Sequence, residues 1–137
     1  MIYIGIDPGT KVGIAQWNPT EKKLIIVETM MLHRALEFVL LLHKWDTAPI
    51  KVFIENPNLR KWYGANASAK QQGAGSIKRD YSIWFDFLTD YGIPFESVDP
   101  KHIKTKITPE YFAKLTGWTE RTSSHGRDAA MMVLNRK

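Results

Sequence analysis

Three carboxylates of this 137-residue chain stand where an acidic side chain needs a reason. Asp7 follows the alternating run Tyr3 to Gly5, Glu55 follows Val52-Phe53-Ile54, and Asp128 lies in His125-Gly126-Arg127-Asp128-Ala129-Ala130. If they share one cleft they repel one another, at about 1.4 kcal/mol for each unit of pKa displaced, and a cation must compensate. The chain has no cysteine, so oxygen and imidazole are its metal donors, a set suited to Mg²⁺, with Mn²⁺ as a substitute. Two such ions about 4 Å apart can activate a water and stabilise the leaving oxygen in phosphodiester hydrolysis. Plainer roles exist: an Asp before Pro8-Gly9 suits a turn, and an acid in a helix's first turn suits the helix dipole. Glu55 is harder to dismiss, because the strand it ends reads as buried and an unpaired buried carboxylate is costly. His125, three residues before Asp128, shares its helical face and could bind metal, shuttle a proton or simply cap the helix.

These side chains converge only if the elements carrying them do. Tyr3 to Gly5 runs towards Asp7, Pro8-Gly9-Thr10 turns, and Val12, Ile14 and Trp17 form a second strand. Asn18-Pro19-Thr20 turns again before a third strand from Leu24 to Met30, so three antiparallel strands open the chain. Leu36, Val39, Leu40 and His43 recur at helical spacing within a helix from Arg34 to Trp45, and Lys51 to Glu55 is a short buried strand. Asn56 to Ser76, with three Gly, reads as a long loop running into a helix N-terminus; Ile77, Tyr81, Trp84, Leu88 and Tyr91 then make a helical stripe that Gly92 ends. Ile93 to Val98 is a fifth strand, Thr108-Pro109-Glu110 starts a short helix closed by Gly117, and Ser123 or Ser124 caps a last helix that buries Ala129, Met132 and Val133 and carries Asp128 in its first turn. The expected fold is α/β: a five-stranded mixed sheet flanked by helices, in one domain spanning 1–137. If strands one and four are parallel neighbours, Asp7 and Glu55 end together.

Composition is that of an ordinary globular chain, 44% apolar and 24% charged, which excludes disordered and collagen-like classes. The apolar runs, Phe38 to Leu42 among them, are far below the roughly 20 residues of a membrane span. With no thiols and no targeting pattern, the expectation is a cytoplasmic protein without a membrane partner. The net charge of +5 favours a polyanionic partner. Between Arg60 and Arg79 five residues are basic and none is acidic.

Ile4-Gly5-Ile6-Asp7-Pro8-Gly9-Thr10, followed by Gly13-Ile14-Ala15, resembles the opening motif of RuvC-type Holliday junction resolvases in the ribonuclease H-like superfamily. The apolar run into Glu55 is similar to that family's second acidic motif, and His125 to Ala130 to its closing motif. The resemblance spans nearly the whole chain and implies a ribonuclease H-like fold and an Mg²⁺-dependent endonuclease that cuts four-way DNA junctions symmetrically as a homodimer. It implies Asp7, Glu55 and Asp128 as metal ligands and His125 as the fourth site residue. The chain is shorter than typical cellular members, which suggests a compact, phage-type relative.

Lys101, Lys104 and Lys106, with Arg60, Lys61, Lys78 and Arg79, are the expected phosphate contacts. Trp62 and Tyr63, two large aromatics in a polar loop, either dock on the body or meet a base; the resemblance implies a wedge at the junction centre. The helix bearing Tyr81 and Trp84 also carries Ile83, Phe85 and Phe87 off its stripe, a second apolar face for a two-fold partner. Two other readings remain at this level: a YqgF-like nuclease of RNA processing, and a nucleic-acid-binding module whose carboxylates are structural.

Overall fold

The computed structural model describes residues 1–45, 48–57, 67–99 and 107–137, with the backbone alone for 67–74, 76 and 77. Five strands and four helices follow in the order β1 (Ile2–Asp7), β2 (Lys11–Asn18), β3 (Lys23–Met31), α1 (Leu32–Trp45), β4 (Ile50–Glu55), α2 (Ala67–Asp90), β5 (Phe95–Val98), α3 (Pro109–Thr116) and α4 (Ser124–Val133). They build one five-stranded sheet in the order β3-β2-β1-β4-β5. Strand β2 is antiparallel to both β1 and β3, whereas β1, β4 and β5 are parallel. The fold is α/β with a mixed sheet, as the sequence predicts.

Alternation along the strands gives the sheet two apolar faces. Ile2, Ile4 and Ile6 of β1 join Val52 and Ile54 of β4 in a core closed by Ala35 and Val39 of α1 and Tyr81, Trp84 and Leu88 of α2. Each buried Val, Ile or Leu among them contributes on the order of 1.5–3 kcal/mol. The other face carries Ala15, Trp17, Val27 and Phe53, covered by Phe112 of α3 and Ala129, Ala130, Met132 and Val133 of α4. Tyr3, Gly5 and Asp7 turn to this second face, because odd and even residues of β1 point opposite ways.

Several expectations are corrected. Helix α2 begins at Ala67, so the second half of the segment expected to be a loop is helical. Tyr91 lies past the helix end and is exposed, whereas Tyr81, Trp84 and Leu88 are buried as the stripe predicts. The left-handed Gly92 (φ 67°) follows at once. On α1 the buried line runs through Ala35 and Val39, and His43 is exposed. Strand β5 begins at Phe95 because Pro94 supplies no N–H to the ladder; its carbonyl accepts from Val52 instead. The caps of the last two helices stand as expected: Thr108 and Ser123 accept from the N–H groups of Tyr111 and Gly126, and Gly117 closes α3 at φ 78°.

Candidate active site

Strands β1 and β4 run parallel with Ile6 opposite Ile54, so the next residues, Asp7 and Glu55, end adjoining strands on one face. Glu55 shares a hydrogen bond with the Asp7 carboxyl. Two neighbouring carboxyls repel one another when both are ionised, and a cation beside them relieves that repulsion. Helix α4 lies over the same corner. From it the His125 Nδ1 sits 3.0 Å from Asp7 Oδ2, and Asp128 is close enough to both for its charge to feel theirs. The four residues therefore gather at one strand-end corner. Asp128 falls in the second turn of α4, not the first, since the helix starts at Ser124. Among the described residues no three such side chains close around a single point tightly enough to hold a metal ion as they stand.

The height of α4 over the sheet is set by two glycines. Gly13 is the ladder partner of Asp7, and a Cβ added to it would lie 2.0 Å from the backbone oxygen of His125. At Gly5 a Cβ would lie 2.1 Å from the oxygen of Ala129. Backbone thus rests on backbone, and that approach brings His125 down beside Asp7. The sequence shows both glycines in the opening motif, but nothing in local pattern says what approaches them. Arg127 is a third residue without a signal of its own. Its Nε donates to Ile107 O at 2.8 Å, and its Nη1 donates to both Thr122 O and Thr122 Oγ1 at 2.9 Å. It ties α4 to the segments before it.

Burial pushes the Asp7 carboxyl above its ordinary range, against the lowering effects of His125 and of the Glu55 hydrogen bond. The Asp128 carboxyl is raised to about 6, first by burial and then by the negative charge of Asp7. Folding therefore favours protonated Asp128. The stability this confers is complete below the ordinary carboxyl range and is lost as pH rises through about 6. In EDTA, thermal melts from pH 4 to 7.5 should show Asp128→Asn gaining on the parent as pH rises, by a few degrees at the upper end. A constant gap would place Asp128 in a site without strain.

Of the expected phosphate contacts, Lys78 and Arg79 are exposed on α2, with Arg79 Nη2 3.6 Å from Asp80 Oδ1. The Tyr81 hydroxyl is 2.8 Å from Ser97 Oγ, level with Ile54, whereas Ile93, after the helix end, bonds back to Leu88. Helix α2 hence runs against the parallel strands, and its Lys78–Arg79 turn stands at the sheet end that holds Asp7 and Glu55. Arg60, Lys61, Trp62, Tyr63, Lys101, Lys104 and Lys106 lie outside the described residues. Among the described residues no helix is long and apolar enough to cross a membrane. Comparison with protein-family models and with curated proteins gave no match for this chain.

Proposed function

We propose that the protein is a metal-dependent DNA endonuclease with a ribonuclease H-like fold, which resolves four-way junctions by symmetric phosphodiester hydrolysis. The observation that carries this reading is the meeting of Asp7, Glu55, His125 and Asp128 at one corner, from three elements remote in sequence. The strand order with only β2 reversed supports the fold assignment. Three carboxylates and an imidazole are a hard donor set, and burial raises the proton affinities of Asp7 and Asp128, a penalty on their charged forms that a bound cation would offset. Asp7, Glu55, Asp128 and His125 would hold Mg²⁺ or Mn²⁺, which would supply an activated water and a counter-charge for the leaving 3′ oxygen. An ionised Asp7 only accepts hydrogen bonds, so the His125 Nδ1 carries the hydrogen between them and Asp7 fixes the ring's orientation. Without metal the Asp128 carboxyl is raised to about 6, and a cation held beside it would favour its charged form.

A junction is cut on two strands, and one chain gathers one such corner. The reading therefore includes a two-fold pair, for which α2 offers Ile83 and Phe85, both exposed beside the buried Trp84 line. The test is incubation of purified protein and Mg²⁺ with a four-way junction, a linear duplex and a structured RNA. Paired nicks at symmetric positions in the junction, absent with EDTA, are expected. Preference for RNA, or metal-independent binding without cleavage, overturns the proposal.

A further inference from the structure

Next to the carboxylate corner, on the same face of the sheet, lies an open groove of about 410 Å³, lined by Val27, Glu28 and Thr29 of β3 and by Arg121, Thr122 and Ser123. Its distance from the corner follows from strand register. Asp7 pairs with Gly13, and Gly13 pairs with Thr29, so the three form one row across β1, β2 and β3. At about 4.8 Å per strand, Thr29 stands roughly 10 Å from Asp7 across the sheet. The Thr29 and Ser123 hydroxyls touch, which confirms that Thr29 turns to the α4 side. The groove is thus a neighbour of the carboxylate corner and shares no side chain with it.

Its outer wall is held in place. Arg127, one residue from Asp128, clamps Thr122 through both the carbonyl and the hydroxyl, while Ser123 Oγ accepts from Gly126 N at 2.9 Å. Among the described residues the Arg121 guanidinium makes no ion pair or hydrogen bond, although it lines this groove. Glu28 does not neutralise it. Successive strand residues face opposite ways, so with Val27 and Thr29 turned to α4 the Glu28 side chain points to the other face. What Glu28 presents here is its backbone oxygen, 3.4 Å from where a Cβ on Gly126 would be. A guanidinium without a partner among the described residues, with the hydroxyls of Thr29, Thr122 and Ser123, makes a surface for an anion with several acceptor oxygens.

We propose that this groove is a subsite for a backbone phosphate of the strand being cut, with Arg121 as a positioning residue. The identity of the strand rests on the nuclease reading above. A separation of roughly 10 Å corresponds to about one or two nucleotides, because consecutive phosphates of one strand, which rise about 3.4 Å along the axis and wind around it, lie about 7 Å apart. By holding that phosphate, Arg121 would set which phosphodiester reaches Asp7 and Asp128, so its loss changes register as well as affinity.

Two measurements test this on the full chain. Junction binding by anisotropy in Ca²⁺ or EDTA, where cleavage plays no part, should show the slope of log K against log salt falling by about 0.7–0.9 for Arg121→Gln. Arg34→Gln, which alters an exposed arginine beside Glu37 on α1, should leave it unchanged. Because the chain has no cysteine, Arg121→Cys also gives a unique thiol for junctions bearing one haloacetylated phosphorothioate. The thiolate displaces halide, forming a sulfur–carbon bond, and cross-linking should peak one or two nucleotides from the cut. An unchanged slope, or cross-linking spread evenly over positions, overturns the subsite even where wild-type protein cuts the junction. A reduced slope in a protein that cuts nothing upholds the groove as a phosphate site and removes the nuclease reading instead.

Discussion

Asp7→Asn, Glu55→Gln and Asp128→Asn are each expected to lower junction cleavage more than about a hundredfold while leaving junction binding equal or tighter. Residues that only orient a metal's ligands cost 10–100-fold when changed, so loss of a direct ligand should exceed that range. Binding moves the other way because each substitution removes negative charge from beside a phosphate. The Asp7 change carries a further effect, since it alters the acceptor that holds the His125 ring at 3.0 Å. His125→Asp should retain more activity than His125→Ala, because a carboxylate in that place can still bind metal. Paired cleavage and gel-shift assays decide the matter: if two of the three acid variants cut at near the parental rate, the corner is not a metal site.

Gly13→Ala should be almost as damaging, for a reason that has nothing to do with charge. The added methyl would lie 2.0 Å from the His125 oxygen and 2.3 Å from its carbonyl carbon. Both are backbone atoms, so no side-chain rotation relieves the clash and α4 must lift away from β2. Forcing extra volume into a packed interior costs about 1–3 kcal/mol and sometimes more, which here is a fall in melting temperature on the order of 5–15 °C. Cleavage should fall further than stability alone accounts for, because His125 leaves Asp7 as the helix lifts. Gly75→Ala is the control: nothing lies within 4 Å of its added Cβ on α2, and alanine in a helix is favoured by up to about 1 kcal/mol. Equal melting temperatures for Gly13→Ala and the parent would mean that α4 does not rest on β2 at this point.

How much of this was legible in the sequence depended on the range of the cause. Strands β1 and β4 announce themselves through alternation and apolar runs, which depend on near neighbours, and so Asp7 and Glu55 could be placed at strand ends. The caps at Thr108, Ser123 and Gly117 were legible for the same reason: each satisfies or closes a helix end within four residues. The first half of α2 was not, because Gly73 and Gly75 weaken helical propensity and the buried stripe that reveals its second half begins later. The second-turn position of Asp128 turned on whether Ser123 or Ser124 caps, a choice of one residue. The role of Gly5 and Gly13 was hidden altogether. It arises where segments more than a hundred residues apart touch, and a local pattern contains no record of that contact. The same holds for Arg127, whose partners include Ile107, twenty residues away.

The placement of α4 also has a bearing on the order in which the chain acquires its chemistry during synthesis. A ribosome delivers Asp7 first and Glu55 soon after, and β1 and β4 can pair once both have emerged. His125 and Asp128 come on a helix that follows all five strands of the described residues, and it docks by laying its backbone on glycines already in place. Until residues 124–133 have left the ribosomal tunnel, the nascent polypeptide has no imidazole to set beside Asp7. The four residues of the corner are then together only once α4 has docked.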